Sequence, residues 1–298
     1  MNNKIKTIIK SVLGNNSIEF LKNIRKVQSL KINYRTDFLL YKKHSSVFKN
    51  DTFRKKESEI TLIYHSIEKG FLHKPIRYKF ASGKIIKLIN LLEDYEVQEN
   101  DFRYQIQSAY FNLINYYNVH KENKINISSF FPEEKYLLFK KRLEKSRNSV
   151  ISHTYSSYFS KIECNFEQFS NSRCSVRNYT GELIPDNTMQ QVVNLANQAP
   201  SVCNRQSVKV FLIQNKILIN KIFDIQGGLK GYTNDLAQMI VLTADRNYFY
   251  SIGERNQLYI DGGIYMMNLL YALHYYQIAA CPAHWGMPVK ADWQMRKL

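Results

Sequence analysis

SRCSVRNYTGELIPDNTMQQVVNLANQAPSVCNRQSVK, residues 172–209, is the stretch on which the reading of the fold turns. Arg173 and Arg177 stand four apart around Cys174, Ser175 and Val176, and a helix pattern follows. The segment then closes on Ala199-Pro200-Ser201, with Asn204 and Gln206 close behind. Within the helix, Met189, Val192, Val193, Ala196 and Ala199 make an apolar stripe, and Asp186 stands where an N-cap belongs. Cationic forks and small hydroxyl and amide side chains at the two ends of one helix suit a planar ligand carrying a phosphate. Arginine grips phosphate bidentately, and Ser, Asn and Gln satisfy the polar edges of a ring. The competing reading pairs Arg173 or Arg177 with Glu182 or Asp186.

Outward from this stretch, helix and strand patterns alternate. Residues 208–213 and 237–244 have the β-branched, apolar look of buried strands. Gly227, Gly228 and Gly231 lie between them without matching a dinucleotide or P-loop fingerprint, so they read as a loop or a flap. Residues 258–276 are apolar nearly all round, which predicts a helix buried in the protein or at a subunit interface. Gly262-Gly263 inside it costs on the order of 1 kcal/mol each relative to Ala, which calls for a packing reason such as a close partner helix. Residues 278–285 read as a short strand before a Pro-containing turn.

RCSVRNY and APSVCNRQ resemble the RRSVR-type opening and the APSxxNxQ-type turn of the FMN-dependent nitroreductase-like flavoproteins. DGGIYMMNLLYALHYYQIAACPAHW, residues 261–285, is similar to that family's central helix and the short strand after it. The resemblance implies an α/β (α+β) fold, a mixed sheet flanked by helices, with FMN as cofactor and NADH or NADPH as reductant. It places Arg173 and Ser175 at the phosphate and ribityl chain, with Cys174 between them as a small buried filler. It puts Arg177 near the N1 and C2 carbonyl edge, where negative charge gathers on reduction. Pro200, Ser201 and Asn204 would reach the flavin of the other subunit of a homodimer, with Gln206 at the ring's polar edge. Pro282, Ala283 and His284 match the backbone that passes beside N5, and His284 reads as a general acid or as a surface or stacking histidine. Because the flavin carries the hydride, no protein acid–base dyad is required, and no catalytic side chain is assigned. Ser207-Val208 stands where the family usually has Pro-Trp, and the family's further C-terminal strand and basic motif are not seen. The resemblance therefore implies a C-terminally truncated member whose flavin is weakly held and easily dialysed.

The rest of the chain sets the context. Of 298 residues, 44% are hydrophobic and 22% charged, ordinary for a folded protein. The net charge of +17 is unevenly placed: residues 1–150 hold 29 Lys and Arg against 15 Asp and Glu, the remainder 13 against 10. Four scattered cysteines form no C-x-x-C pair, which argues against structural zinc or a disulfide framework. No apolar run reaches the roughly 18 residues of a membrane span and no cleavable leader is recognised, which points to the cytoplasm. Residues 1–13 fit either a basic amphipathic helix on anionic lipid at the inner membrane face or a helix packed on its own domain, with a break at Gly14–Ser17. Residues 18–46 continue the helical pattern; their aromatics interleave with basic residues but carry no nucleic-acid reader motif, so a solvated basic face is the reading.

Residues 57–70, ESEITLIYHSIEKG, predict a helix stopped by Gly70, with His65 and Glu68 sharing a face. A metal there would need a second such pair, and none exists, so no metal is assigned. HSIEKGF resembles a segment of larger nitroreductase-like proteins encoded beside polysaccharide biosynthesis enzymes. Helices are expected over 84–92, 102–117 and 131–148, and residues 151–169 are the boundary segment. The expected division is a helical basic region, 1–165, and a nitroreductase-like FMN domain, 166–298. Function follows as transfer of hydride from NAD(P)H through FMN to an unidentified small-molecule acceptor. The alternative is a weak or inactive relative serving as a membrane-surface partner in polysaccharide assembly.

Overall fold

The apolar periodicity of residues 53–142 closes into a core of four helices. The computed structural model describes residues 15–73, 75–144, 150–228 and 235–298. Helix α1 (Asn15–His44) precedes this core, followed by α2 (Phe53–Phe71), α3 (Ser82–Leu92), α4 (Tyr104–Glu122) and α5 (Glu133–Arg142). Ile60, Ile63, Tyr64 and Ile67 of α2 recur at the spacing of one helix face. They meet Ile85, Leu88 and Leu92 of α3 and Ile106, Tyr110, Leu113 and Tyr116 of α4. Each such side chain, fully buried, contributes about 1.5–3 kcal/mol. Inside, Gln107 Nε2 donates to the carbonyls of Asp101 and Arg142 and its Oε1 accepts from the Glu144 N–H, while Tyr110 Oη and Arg142 Nη1 are buried without partners. Helix α1 contrasts with all of this. Residues 19–32 are exposed throughout, and Arg255 grips Asp37 through two hydrogen bonds of 2.8 and 3.0 Å.

The second half follows a different plan. After α6 (Phe166–Ser172) the chain runs extended to α7 (Asp186–Ala196), β1 (Val208–Ile213), α8 (Lys216–Gln226), β2 (Met239–Ala244), α9 (Gln257–Tyr275) and α10 (Val289–Met295). The strands form a two-stranded antiparallel sheet in register Val208↔Ala244 through Ile213↔Met239. A second buried cluster joins Met189, Val192 and Ala196 of α7 to Tyr265, Leu269, Ala272 and Leu273 of α9, with Val208, Val210, Ile240 and Leu242 of the sheet against it. The class is thus α+β: helix-rich, with a small antiparallel sheet. Among the described residues no helix is long and apolar enough to cross a membrane.

Several expectations change. The two strands are half-buried rather than buried, and Phe211 remains 51% exposed, because only one face of the sheet has helices on it. Helix α9 buries one stripe and exposes Tyr259, Ile260, Ile264 and Met267 on the other side, so it is not enclosed within the chain. A Cβ on Gly262 or Gly263 would meet nothing within 4 Å, so among the described residues no helix comes close there. Residues 278–285 form no strand, since Val176 N–H to Ala280 O at 3.1 Å and Ile278 N–H to Leu273 O at 2.8 Å make no ladder. Asp186 is the first helical residue and Pro185 the N-cap, as suits a ring that fixes φ. Gly70 lies inside the last turn of α2 rather than stopping it; a Cβ there would come within 2.1 Å of the Phe80 ring, which is why no side chain fits. Asn15, Asn16 and Ser17 open α1 instead of breaking a helix. The expected helix over 1–13 lies outside the described residues, as do Gly14 and Gly231.

Candidate functional site

Helix α6 stops because Arg173, its C-cap, turns to extended backbone (φ −72°, ψ 121°). The RCSVR segment therefore lies as an open ribbon, pinned by Val176 to Ala280 and by the Tyr158 hydroxyl, which donates to Cys174 O at 2.7 Å. Cys174 is exposed rather than the expected buried filler, because the ribbon points its side chain outward while its carbonyl takes the Tyr158 bond. Neither arginine hydrogen-bonds Glu182 or Asp186 among the described contacts; Gln214 reaches the Asp186 carboxylate instead. Arg173 Nε and Arg177 Nε are both buried without a hydrogen-bond partner. Beside them, Ser172 Oγ donates to Phe169 O, so the 2.8 Å contact with His274 must be a bond donated by His274 Nε2. His274 Nδ1 is then a buried bare lone pair. Burial, and then the charge of Arg173, hold this imidazole below its usual titration range.

The second predicted group forms a tight turn. Cys203, Asn204 and Gln206 take left-handed φ values of 49°, 54° and 50°, each costing about 1–3 kcal/mol where the surroundings enforce it. Ser201 Oγ accepts the Gln206 N–H at 2.9 Å, and Gln206 Nε2 donates to Asn204 Oδ1 at 3.3 Å. The Val202 N–H sits 3.4 Å from both carboxylate oxygens of the buried Asp261 on α9. Arg205, which the sequence did not single out, braces the turn through Glu254 (2.8 and 3.2 Å) and the Tyr248 carbonyl (2.7 Å). Its readable sign was the Ser251–Glu254 capping box that presents that carboxylate. Pro200, Asn204 and Gln206 are exposed and Ser201 half-buried.

Helix α9 measures how far apart these groups lie. His274 adjoins the arginine ribbon and Asp261 adjoins the 200–206 turn, a separation of 13 residues, or about 20 Å at 1.5 Å per residue. One chain therefore brings Arg173, Ser175 and Arg177 together with the 280–284 segment, but not with the 200–206 turn. Pro282, Ala283 and His284 are exposed, and the His284 carbonyl accepts from Gln226 Nε2 at 3.0 Å. His65 Nδ1 and Glu68 Oε2 lie 3.0 Å apart, and among the described residues no group of three metal-ligating side chains gathers there or elsewhere.

Arginine ribbon, helix and left-handed turn fall within the one segment that a family comparison matches. Residues 171–230 match the Nitroreductase family. Among solved structures, the chain is similar to a putative NADH oxidase from Clostridium acetobutylicum at 25% identity, covering 44% of this chain and 78% of that one with a TM-score of 0.37. A nitroreductase family protein from Clostridium difficile is 23% identical over 37% of this chain and 62% of that one, TM-score 0.32. A putative nitroreductase in complex with FMN from Desulfovibrio desulfuricans is 21% identical over 38% and 63%, TM-score 0.34. A search of the curated proteins finds no match.

Proposed function

We propose that the chain is an FMN-dependent oxidoreductase of the nitroreductase type, with a site built across a homodimer and NADH or NADPH as reductant. The observation that carries this reading is the pair of buried, unpartnered guanidinium Nε atoms on Arg173 and Arg177, within the segment that matches the family. Buried donors want acceptors, and a phosphate with a ring carbonyl edge supplies them. Arg173 and Ser175 would hold the phosphate end and Arg177 the carbonyl edge. The 280–284 backbone would lie along the ring. When bound, FMN supplies two-electron hydride chemistry at its N5 atom. The 20 Å span of α9 supports the use of Pro200, Ser201 and Asn204 on a neighbouring subunit's flavin, and the exposed face of α9 offers a place for that subunit to sit. We also infer that the chain divides at 165/166 into a helical region and a flavin domain. The acceptor is a small molecule, and the protein works in the cytoplasm.

The alternative, a weak or inactive relative at a membrane surface in polysaccharide assembly, draws on α1, whose exposed length mixes Lys and Arg with Phe20, Ile24 and Val27. Purified protein tests the two together. Yellow colour with flavin absorbance that bleaches on adding NADH or NADPH supports the first, and colourless protein that takes up no FMN refutes it.

A further inference from the structure

The HSIEKGF segment has so far no part in the site, yet its helix end is fixed with unusual completeness. Glu68 Oε1 accepts from the fully buried Asn112 of α4 at 3.1 Å, while Oε2 lies 3.0 Å from His65. Gly70 lies flat against Phe80, whose ring meets Phe71 edge-on at 5.4 Å. These contacts set the rotation of the last turn of α2 and aim Lys69 away from the helical core. Lys69 Nζ donates to Gly228 O at 2.6 Å, across 159 residues of sequence. The Gly228 N–H donates to Gln226 Oε1 at 2.8 Å, and Gln226 Nε2 to His284 O at 3.0 Å. Three hydrogen bonds thus run from the basic half to the segment assigned beside the flavin ring. Val176, next to Arg177, donates its N–H to Ala280 O at 3.1 Å, so Lys69 and Arg177 are both tied to the 280–284 segment; burial first, and then the like charge of Arg177, hold the Lys69 ammonium below its usual range. Arg177 also presents its bare, buried Nε here.

Two cations tied to one segment, one with an unanswered donor, mark a place where negative charge is stabilised. A hydride taken from a nicotinamide carries two electrons and one proton, so an accepting ring is left with one negative charge. We propose that Lys69, supplied by the basic half, is a flavin-site residue that works with Arg177 to stabilise the charge of the reduced ring. This rests on the flavin reading given above, and it gives the N-terminal helices a part in the chemistry.

The test uses the full-length chain and FMN itself. Dissociation constants for oxidised FMN and midpoint potentials of bound FMN are measured for the parent, Lys69→Gln, Lys69→Arg and Arg177→Gln. Lys69→Gln is expected to change oxidised FMN binding less than threefold but to lose about tenfold of the preference for the reduced form. That corresponds to a potential about 30 mV lower for a two-electron couple. Lys69→Arg, which keeps the charge, should restore most of the shift and covers the case in which Gln at this half-buried position disturbs folding. A parent that binds FMN, an Arg177→Gln potential that shifts and a Lys69→Gln potential that does not would overturn this inference and leave the flavin reading standing. A parent that binds no FMN would overturn both.

Discussion

Two histidines separate the halves of this molecule. In the helical half, His120 Nε2 accepts the Lys79 N–H at 2.8 Å, so its Nδ1–H donates to Tyr116 O at 2.7 Å, and the ring is fully used. In the second half, His274 uses Nε2 alone and leaves Nδ1 bare near Arg173, whose Nε is also without a partner. Both halves expose apolar side chains, Leu62 and Leu137 among them in the first, but their cores differ. Ile60, Leu88, Leu113 and Phe139 are sealed completely, whereas α9 and the sheet leave Tyr259, Ile260, Ile264 and Phe211 in the open. The first half also keeps Asn50 Oδ1, Tyr110 Oη and Arg142 Nη1 buried without partners, but the second gathers Arg173, Arg177 and His274 about one ribbon. Buried polar groups without partners are costly enough that a fold retaining several of them at one place is organised for a ligand.

That contrast can be broken most directly through stability. Leu88→Ala, in a fully sealed position, is expected to cost about 2–5 kcal/mol in urea unfolding, while Phe211→Ala on the half-open sheet should cost clearly less. Equal losses would show that the halves are finished alike. Next in size, Arg173→Ala should weaken FMN binding by about 1.5–3 kcal/mol, roughly tenfold to 150-fold, as one charge-assisted contact is removed. Titration of apo protein reads this directly, and unchanged affinity would remove Arg173 from the site. Ile264→Glu, on the exposed face of α9, should raise the dimer dissociation constant by roughly tenfold or more. Sedimentation velocity that shows the variant and parent associating alike would place the interface elsewhere.

A pH series sharpens the comparison further. Burial holds His120 below its ordinary range, so the folded state favours the neutral ring while the unfolded chain takes up its proton near pH 6.5. Stability from this group is present above that pH and lost as pH falls through the lower folded value. The unfolding midpoint of a His120→Gln variant should therefore vary less between pH 7.5 and 5 than that of the parent; identical slopes would show that the ring is not held neutral. The smallest effect belongs to Arg255→Ala. Its pairing with Asp37 is half-buried on an otherwise exposed helix, so the unfolding midpoint should move little, while trypsin should cleave α1 faster.

Elements were readable where they obey a local period. Helices were expected at 57–70 and 84–92, the stripe of α7 emerges from spacing alone, and β1 was placed at 208–213 without error. What spacing could not give was the environment of each face. The apolar run of α9 looks alike whether both sides are covered or one, and the difference lies in what packs on it. Likewise Gly70 punctuates a sequence as a stop, and only the position of Phe80 shows that it is an absence of Cβ that matters. The arginine ribbon was legible as a binding motif because its residues are four apart. Arg205 and Lys69 were not, since their partners Glu254 and Gly228 lie 49 and 159 residues away. The 278–285 segment looked like a strand because strands and unpaired chain share composition, and the ladder that distinguishes them is a property of neighbours.

The length of α9 between Asp261 and His274 has one more consequence, for anyone handling the protein at the bench. If the two ends of that helix serve two different flavins, each subunit owns only half of each site, and cofactor retention becomes a function of protein concentration. Dilution would then bleed flavin from the protein by mass action, with the yellow fraction falling along the same curve as the dimer fraction. An assay run at nanomolar enzyme and a spectrum taken at micromolar enzyme would report on different species.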